Sequence, residues 1–379
     1  MLTKTAIQIL RHERGKYIGV VIGVAMALFL MLLQFGFYLG FRRDITVIGD
    51  SFDADLWVSQ REHLAFDYTA HFDDVPHLQV LADPDVSGAM PIIADWSRMR
   101  RLGDGATVNG YVVGLDFSGG VRVELGADMP PDLVSLLSIP GNVLMDEKHL
   151  SRVGASQDGG AGVEIRGRDA NIVGVMHGKK LFTTACLTVT DLDNARRFLG
   201  LNANQITFVA VKCRDGVDAR AVQARLQARL PEYRVWRAEE FHDLTQNYWV
   251  RLTGIGPVLL LSAGLAVVVG FLTVFLTFSH LTSEKLPMYA AMKAIGASTA
   301  ELGGLVLLQI GIVFCTGSLL AIIGVLLALA ALAGTTISVE LPARVTVLGV
   351  GFMALCSVAA GMRSLHKLAR VEPAEAFRT

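Results

Sequence analysis

Residues 17–41 read YIGVVIGVAMALFLMLLQFGFYLGF, an unbroken stretch without one charged side chain. Roughly 18–20 apolar residues suffice to cross a bilayer core, so this run predicts a membrane-spanning helix. It is longer than a signal-peptide core, and Phe41-Arg42-Arg43-Asp44 follows in place of a small-residue cleavage site. It therefore reads as a retained anchor. Working outward, three more uncharged runs crowd the far end of the chain, at 252–283, 302–339 and 345–362. Some two hundred residues of mixed polarity separate the first run from the second. The fold class this predicts is an α-helical membrane protein with four transmembrane helices, one then three. An extracytoplasmic α+β domain is inserted between helices 1 and 2.

Composition agrees. Of the 379 residues, 52% are hydrophobic and only 18% charged, with a net charge of −1. Average globular proteins carry about 25% charged residues. The balanced charge, with no arginine-rich patch, excludes nucleic acid as a partner class. Membrane lipids are the partner that composition does imply.

Orientation follows from lysine and arginine near the membrane ends. Lys4, Arg11, Arg14 and Lys16 precede the first span, and Lys285 and Lys293 lie between the second and third. Arg363, Lys367, Arg370 and Arg378 follow the fourth, whereas Arg344 alone marks the loop between the third and fourth. Arg42 and Arg43 run against this bias. The positive-inside rule places both termini and the Lys285 loop in the cytoplasm, and residues 44–250 outside.

Residues 1–16 read as an amphipathic helix on the cytoplasmic face, with Leu2, Ala6, Ile9 and Leu10 on one side. Small residues recur at four-residue spacing in Gly15-Gly19-Gly23, Gly36-Gly40 and Gly317-Ala321 with Gly324-Ala328, which suits close helix packing. Gln34 and Gln309 are the clearest polar side chains within the spans, best read as interhelical hydrogen-bonding groups. No Asp, Glu, Lys or Arg lies inside a span, which argues against an ion-coupled pump. Residues 238–252 carry Phe241, Leu244, Tyr248 and Leu252 at helical spacing, with Tyr248 and Trp249 suited to a membrane interface. They predict a stalk helix running into span two as a rigid lever.

The outer region alternates short strands with amphipathic helices. Strands are expected at 55–58, 121–125, 163–166, 187–190, 206–213 and 233–236. Asp191 is an N-cap for a helix burying Leu192, Ala195 and Leu199, which Gly200 ends. A further helix carries Val222, Leu226 and Leu230. The β-α-β-α-β order suits an α+β sandwich with helices on one sheet face. The domains expected are 1–43, the amphipathic helix and first span; 44–118, the first part of an α+β subdomain; 119–184, an inserted β-rich subdomain; 185–240, the second α+β part; and 241–379, the stalk, three spans, a cytoplasmic helix and the tail.

Chemistry is sparse. His63, Asp67, His71, Asp74 and His77 form the densest set of metal-ligand types, but their spacing matches no zinc signature. No Gly-x-Ser-x-Gly, His-Glu-x-x-His or P-loop occurs in these residues, so the sequence predicts no catalytic group and no cofactor of its own. Cys315 and Cys356, within spans, read as small apolar residues. Cys186 and Cys213 are candidates for a disulfide, because an oxidising compartment permits one, although their strand parities differ.

The loop after span two carries the most information. In Glu284-Lys285-Leu286-Pro287-Met288-Tyr289-Ala290-Ala291-Met292-Lys293-Ala294-Ile295-Gly296-Ala297, Pro287 suits the first turn of a helix and Gly296 its end. Met288, Met292 and Ile295 then fall on one face, an apolar ridge suited to a partner's groove. This stretch resembles a motif of the MacB/FtsX-type ABC transporter permeases, which reads roughly Glu-Arg-x-x-Glu-Ile-Gly-x-x-Arg-Ala-x-Gly-Ala. The ending Val371-Glu372-Pro373-Ala374-Glu375-Ala376-Phe377-Arg378 resembles the Pro-x-Glu-Ala-Leu-Arg ending of the same family. Met288 stands where the motif has glutamate and Ala290 where it has glycine, a form more like the DevC branch, whose permeases carry no fused ATPase.

The resemblance implies Glu284, Lys285, Met288, Tyr289, Met292, Lys293, Ile295 and Gly296 as the ATPase-coupling set, with Pro373, Glu375, Ala376, Phe377 and Arg378 as the C-terminal motif. It implies a bacterial inner-membrane permease working with a separate ABC ATPase, which holds the ATP and Mg. A second permease copy, identical or related, is implied too. Closure of the ATPases would move the outer domains, driving export of a lipid, peptide or hydrophobic compound into a periplasmic adaptor and an outer-membrane channel. The alternative is an FtsX-like signalling scaffold activating a cell-wall hydrolase.

Overall fold

The computed structural model describes residues 14–126, 131–155, 162–179, 181–183, 185–333, 335 and 337–370. Helix α1 (Arg14–Asp44) contains the first apolar run. A helix satisfies its own backbone groups, so it can sit where no water competes.

The outer region, residues 41–256, is one compact unit. Its elements in order are β1 (Leu56–Gln60), β2 (Phe72–Asp73), α2 (Val75–Leu81), β3 (Val86–Arg101), β4 (Thr107–Leu115), α3 (Pro131–Leu137), β5 (Asn142–Asp146) and α4 (Glu147–Val153). There follow β6 (Gly162–Ile165), β7 (Arg168–Met176), β8 (Cys186–Asp191), α5 (Leu192–Leu199), β9 (Gln205–Ile206), β10 (Phe208–Cys213), α6 (Ala219–Arg229), β11 (Tyr233–Arg237) and α7 (Ala238–Asn247). Asp191 caps α5 by accepting from the Asp193 N–H, and Gly200 ends it in a left-handed conformation. Both ends of that helix were readable from local sequence.

Nine strands form one sheet, in the order β11-β1-β10-β3-β4-β8-β5-β7-β6, and β6 also pairs back onto the end of β3. Strands β3, β4, β8, β5, β7 and β6 thus close a ring. The 16-residue β3 belongs to both halves, pairing with β10 through its first residues and with β4 from Ile92 onward. Side chains alternate across the sheet with period two. Leu56, Val58, Val209 and Val211 pack under α2 and α6 with Val80, Val222 and Leu226. Trp57, Phe208 and Ala210 face the other way, toward Phe66 and Phe241.

Several expectations need correcting. Helices do not keep to one face: α7 lies on the opposite side from α2 and α6, with Phe241 stacked on Trp57 at 4.8 Å between centroids. Residues 119–184 do not form a separate β-rich subdomain, because β5, β6 and β7 continue the shared sheet through pairings with β8 and β3. Residues 121–125 are not a strand. Val123 makes one isolated bridge to Phe52, while the Asp53 and Glu124 N–H groups bond to Arg122 and Ser51 carbonyls. Strand β3, the longest in the sheet, and β4 lie in stretches where the sequence reading places no strand. The stalk is not one helix either. Beyond α7 a π turn occupies Tyr248–Leu252, and Gly254, at φ +78°, interrupts the chain before the next helix. That left-handed conformation suits a residue without Cβ.

The second unit contains α1, α8 (Ile255–Glu284), α9 (Leu286–Ala294), α10 (Thr299–Leu332) and α11 (Ala343–Arg370). The four long helices match the four runs. Val24, Leu28, Met31 and Leu32 of α1 pack with Phe278, Val306, Ile310, Val313 and Met353. Gly317 is a true close approach, since a Cβ there would lie 2.9 Å from the Val24 side chain. Gly15 and Gly19, by contrast, have open space around them.

Candidate functional site

The short helix α9 sits between two spans, and its limits follow from sequence. Pro287 occupies its first turn. Gly296, at φ +104°, turns the chain away, and Ser298 with Glu301 forms a capping box that starts α10.

Its side chains divide sharply. Lys285, Tyr289 and Ala290 are buried, at 4%, 1% and 2% exposure. The Lys285 ammonium donates to the Tyr17 hydroxyl at 2.9 Å and lies 4.7 Å from that ring's centroid. The Tyr289 hydroxyl donates to Gln309 Oε1 at 3.3 Å. Met288 and Met292 are half-buried against the bundle core, and Lys293 is half-buried. Outward stand Glu284, Pro287, Ala291, Ala294, Ile295 and Gly296, with Ile295 87% exposed.

The expected ridge is therefore rotated. Met288 and Met292 belong to the inner side of the helix, and Ile295, beyond the last helical residue, leaves their stripe for solvent. Lys285 and Tyr289 face the spans. Gln309 does form an interhelical hydrogen bond, but to α9 rather than to another span; Gln34 is half-buried. Pro373, Glu375, Ala376, Phe377 and Arg378 lie outside the described residues, as do residues 1–13.

Cys186 on β8 and Cys213 on β10 are both free. Two strands, β3 and β4, lie between theirs. Three spacings of about 4.8 Å separate them by roughly 14 Å, twice the reach of a disulfide. The candidate disulfide is thus ruled out by strand order, which residue parity could only hint at. Burial pushes both thiols up to about 11.

Among the described residues no group of three metal-ligand types comes together. His63 is buried against Phe208, and Asp67 accepts from Trp249 Nε1 at 2.8 Å. His77 bonds to the Ala89 carbonyl. His71 bridges Thr207 Oγ1 at 3.1 Å and Asp95 Oδ2 at 3.3 Å, superficially a Thr-His-Asp relay. Thr207 is fully buried, however, accepting from the Ala94 N–H and donating to its carbonyl, so no substrate reaches it. The relay ties strands together.

Among the described residues the outer unit has two notable cavities, the larger, about 730 Å³, lined by residues including Met90, Phe117, Arg122 and Glu124, and the spans have one. The smaller outer cavity, about 540 Å³, is lined by Phe52, Trp57, Phe66 and Phe241, with Asp50, Glu239 and Asp243 at its polar side. Among the spans, about 520 Å³ is lined by apolar residues including Met31, Phe35, Val267, Leu348 and Phe352. The size of each suits a small ligand.

Comparison with known proteins gives a consistent result. Residues 17–229 match the family model of the MacB-like periplasmic core domain, and residues 260–373 match that of the FtsX-like permease C-terminal region. No curated protein matches. Among solved structures, the chain is similar to the periplasmic region of MacB from Actinobacillus actinomycetemcomitans, at 12% identity and TM-score 0.39, covering 54% of this chain and 96% of that one. It is also similar to the extracellular domain of the noncanonic ABC-type transporter YknZ from Gram-positive bacteria, at 13% identity and TM-score 0.35, covering 48% and 99%.

Proposed function

The chain belongs to the MacB/FtsX-type family of ABC-transporter permeases, and we propose that it converts ATP hydrolysis by a separate partner into movement of its outer domain. In this reading it is a DevC-like subunit of the inner membrane, with both termini cytoplasmic, working as a pair of permease copies. The outer domain drives a lipid, peptide or hydrophobic compound into an adaptor and an outer-membrane channel. This chain supplies no catalytic group; ATP and Mg belong to the partner.

The observation that carries the reading is α9, with its inner face held by the spans and its outer face apolar. Pro287, Ala291, Ala294 and Ile295 offer a ridge with an exposed anchor at its end. A large apolar side chain left in water on a short helix between spans suits a groove on another protein. The aromatic-walled cavity of the outer unit supports cargo contact there rather than among the spans, whose clearest polar groups are Gln34 and Gln309.

Tagged full-length chain, purified from its own host, is expected to retain an ABC ATPase. Ile295→Asp should release it while the permease stays inserted. Losing a buried interface anchor costs about 2 kcal/mol or more, roughly a 30-fold weakening. Full retention by Ile295→Asp would sink the docking assignment. A periplasmic adaptor in the same preparation supports export, whereas a peptidoglycan hydrolase would favour the signalling role.

A further inference from the structure

We infer that Lys285 is a positioning residue that latches the coupling helix α9 to the first span. Force on α9 then reaches the outer domain along α1. This rests on the reading above, in which a partner ATPase docks on α9.

The latch has two bolts. Lys285 and Tyr289 stand one helical turn apart, and both are buried. The first holds Tyr17 near the cytoplasmic start of α1, and the second holds Gln309 of α10. Lys285 adds a cation–π contact with the Tyr17 ring to its hydrogen bond. A buried ammonium is expensive to desolvate unless it is well held, so this geometry resists loosening. At 4% exposure the same side chain has little surface left for a partner. A displacement of α9 therefore drags the base of α1.

What lies beyond each bolt differs. Helix α1 runs without interruption from Arg14 to Asp44, where the chain enters the outer unit. From Tyr17 to Asp44 that is about 40 Å of continuous helix at roughly 1.5 Å per residue. The route through the second span meets the π turn at Tyr248–Leu252 and the left-handed Gly254. An unbroken helix passes on both translation and rotation, whereas a joint with free dihedrals absorbs them. Of the two connections nearest α9, the first span is the stiffer lever.

The test uses full-length chain in nanodiscs, alone and with its co-purified ATPase. Lys285→Met keeps reach but removes charge, and Lys285→Arg restores a cation. In the chain alone, amides of residues 286–294 should exchange at least tenfold faster in Lys285→Met and at the native rate in Lys285→Arg. With ATPase present, Lys285→Met should keep the partner and its hydrolysis. It should lose the ATP-dependent fluorescence change of a label on Leu78→Cys, in a Cys315→Ala background, and Lys285→Arg should recover that change. Three glycines inserted after Thr253 should leave it intact. Unchanged exchange in Lys285→Met would overturn the latch, and so would release of the ATPase, because Lys285 would then be a docking contact. A native response in Lys285→Met, or one abolished by the glycine insertion alone, would overturn the route. If even the native chain holds no ATPase, the docking reading fails, while the exchange result still decides the latch.

Discussion

The His63 imidazole is buried against Phe208, 4.6 Å between ring centroids, and Phe241. Burial pushes its pKa down to about 4, the Ala65 backbone offsetting only part of that. An unfolded histidine titrates near 6.5. Between these values the unfolded chain binds a proton that the folded chain does not. Stability is therefore present above pH 6.5 and falls as pH drops through the window, by up to about 3 kcal/mol. Unfolding of detergent-solubilised chain, followed by tryptophan emission, should show this loss from pH 7 to 4.5. His63→Leu should abolish that part of it. Parallel pH profiles for the two proteins would mean that the ring is not desolvated. Sequence offered His63 only as one of five scattered ligand types; the aromatic cage that sets its chemistry comes from β10 and α7, about 145 and 178 residues away.

Among the elements, α5 shows how much local sequence can specify and where it stops. Asp191 and Gly200 set its ends because each acts on backbone groups within one turn. Its docking depends on a distant glycine: a Cβ at Gly114 of β4 would collide with the Ala195 Cβ. Gly114→Val should therefore lift α5 off the sheet and destabilise the outer domain by about 1–3 kcal/mol. Thermal melting of the full chain checks this, and a melting curve like that of the native protein would refute the close approach. The coupling helix has the same character. Pro287 and Gly296 bound it legibly, and helical periodicity put Met288, Met292 and Ile295 on one stripe. Which stripe faces inward was settled by Tyr17 and Gln309, neither of them close in sequence.

For the whole molecule the orientation makes a direct prediction. The charge bias predicts α9 in the cytoplasm and the outer unit outside. In intact cells, a membrane-impermeant maleimide should label Leu78→Cys, whose position is exposed on α2. It should reach Ile295→Cys only after the membrane is opened. The reverse pattern would invert the orientation and, with it, the compartment of every proposed partner. What sequence alone determined about this protein is its four apolar helices, their order along the chain, and several helix ends. These follow from length, charge and capping, which act through neighbouring residues or through the bilayer. Tertiary structure alone decided the ring, because β6 finds β3 across some sixty residues and β4–β8 and β5–β7 pair in parallel. It likewise separated Cys186 from Cys213, buried Lys285 against Tyr17, and broke the stalk at Gly254. The cysteine separation and the Lys285 contact join residues far apart in the chain, whose pairing no local pattern encodes, and the stalk breaks where a left-handed glycine overrides helical periodicity.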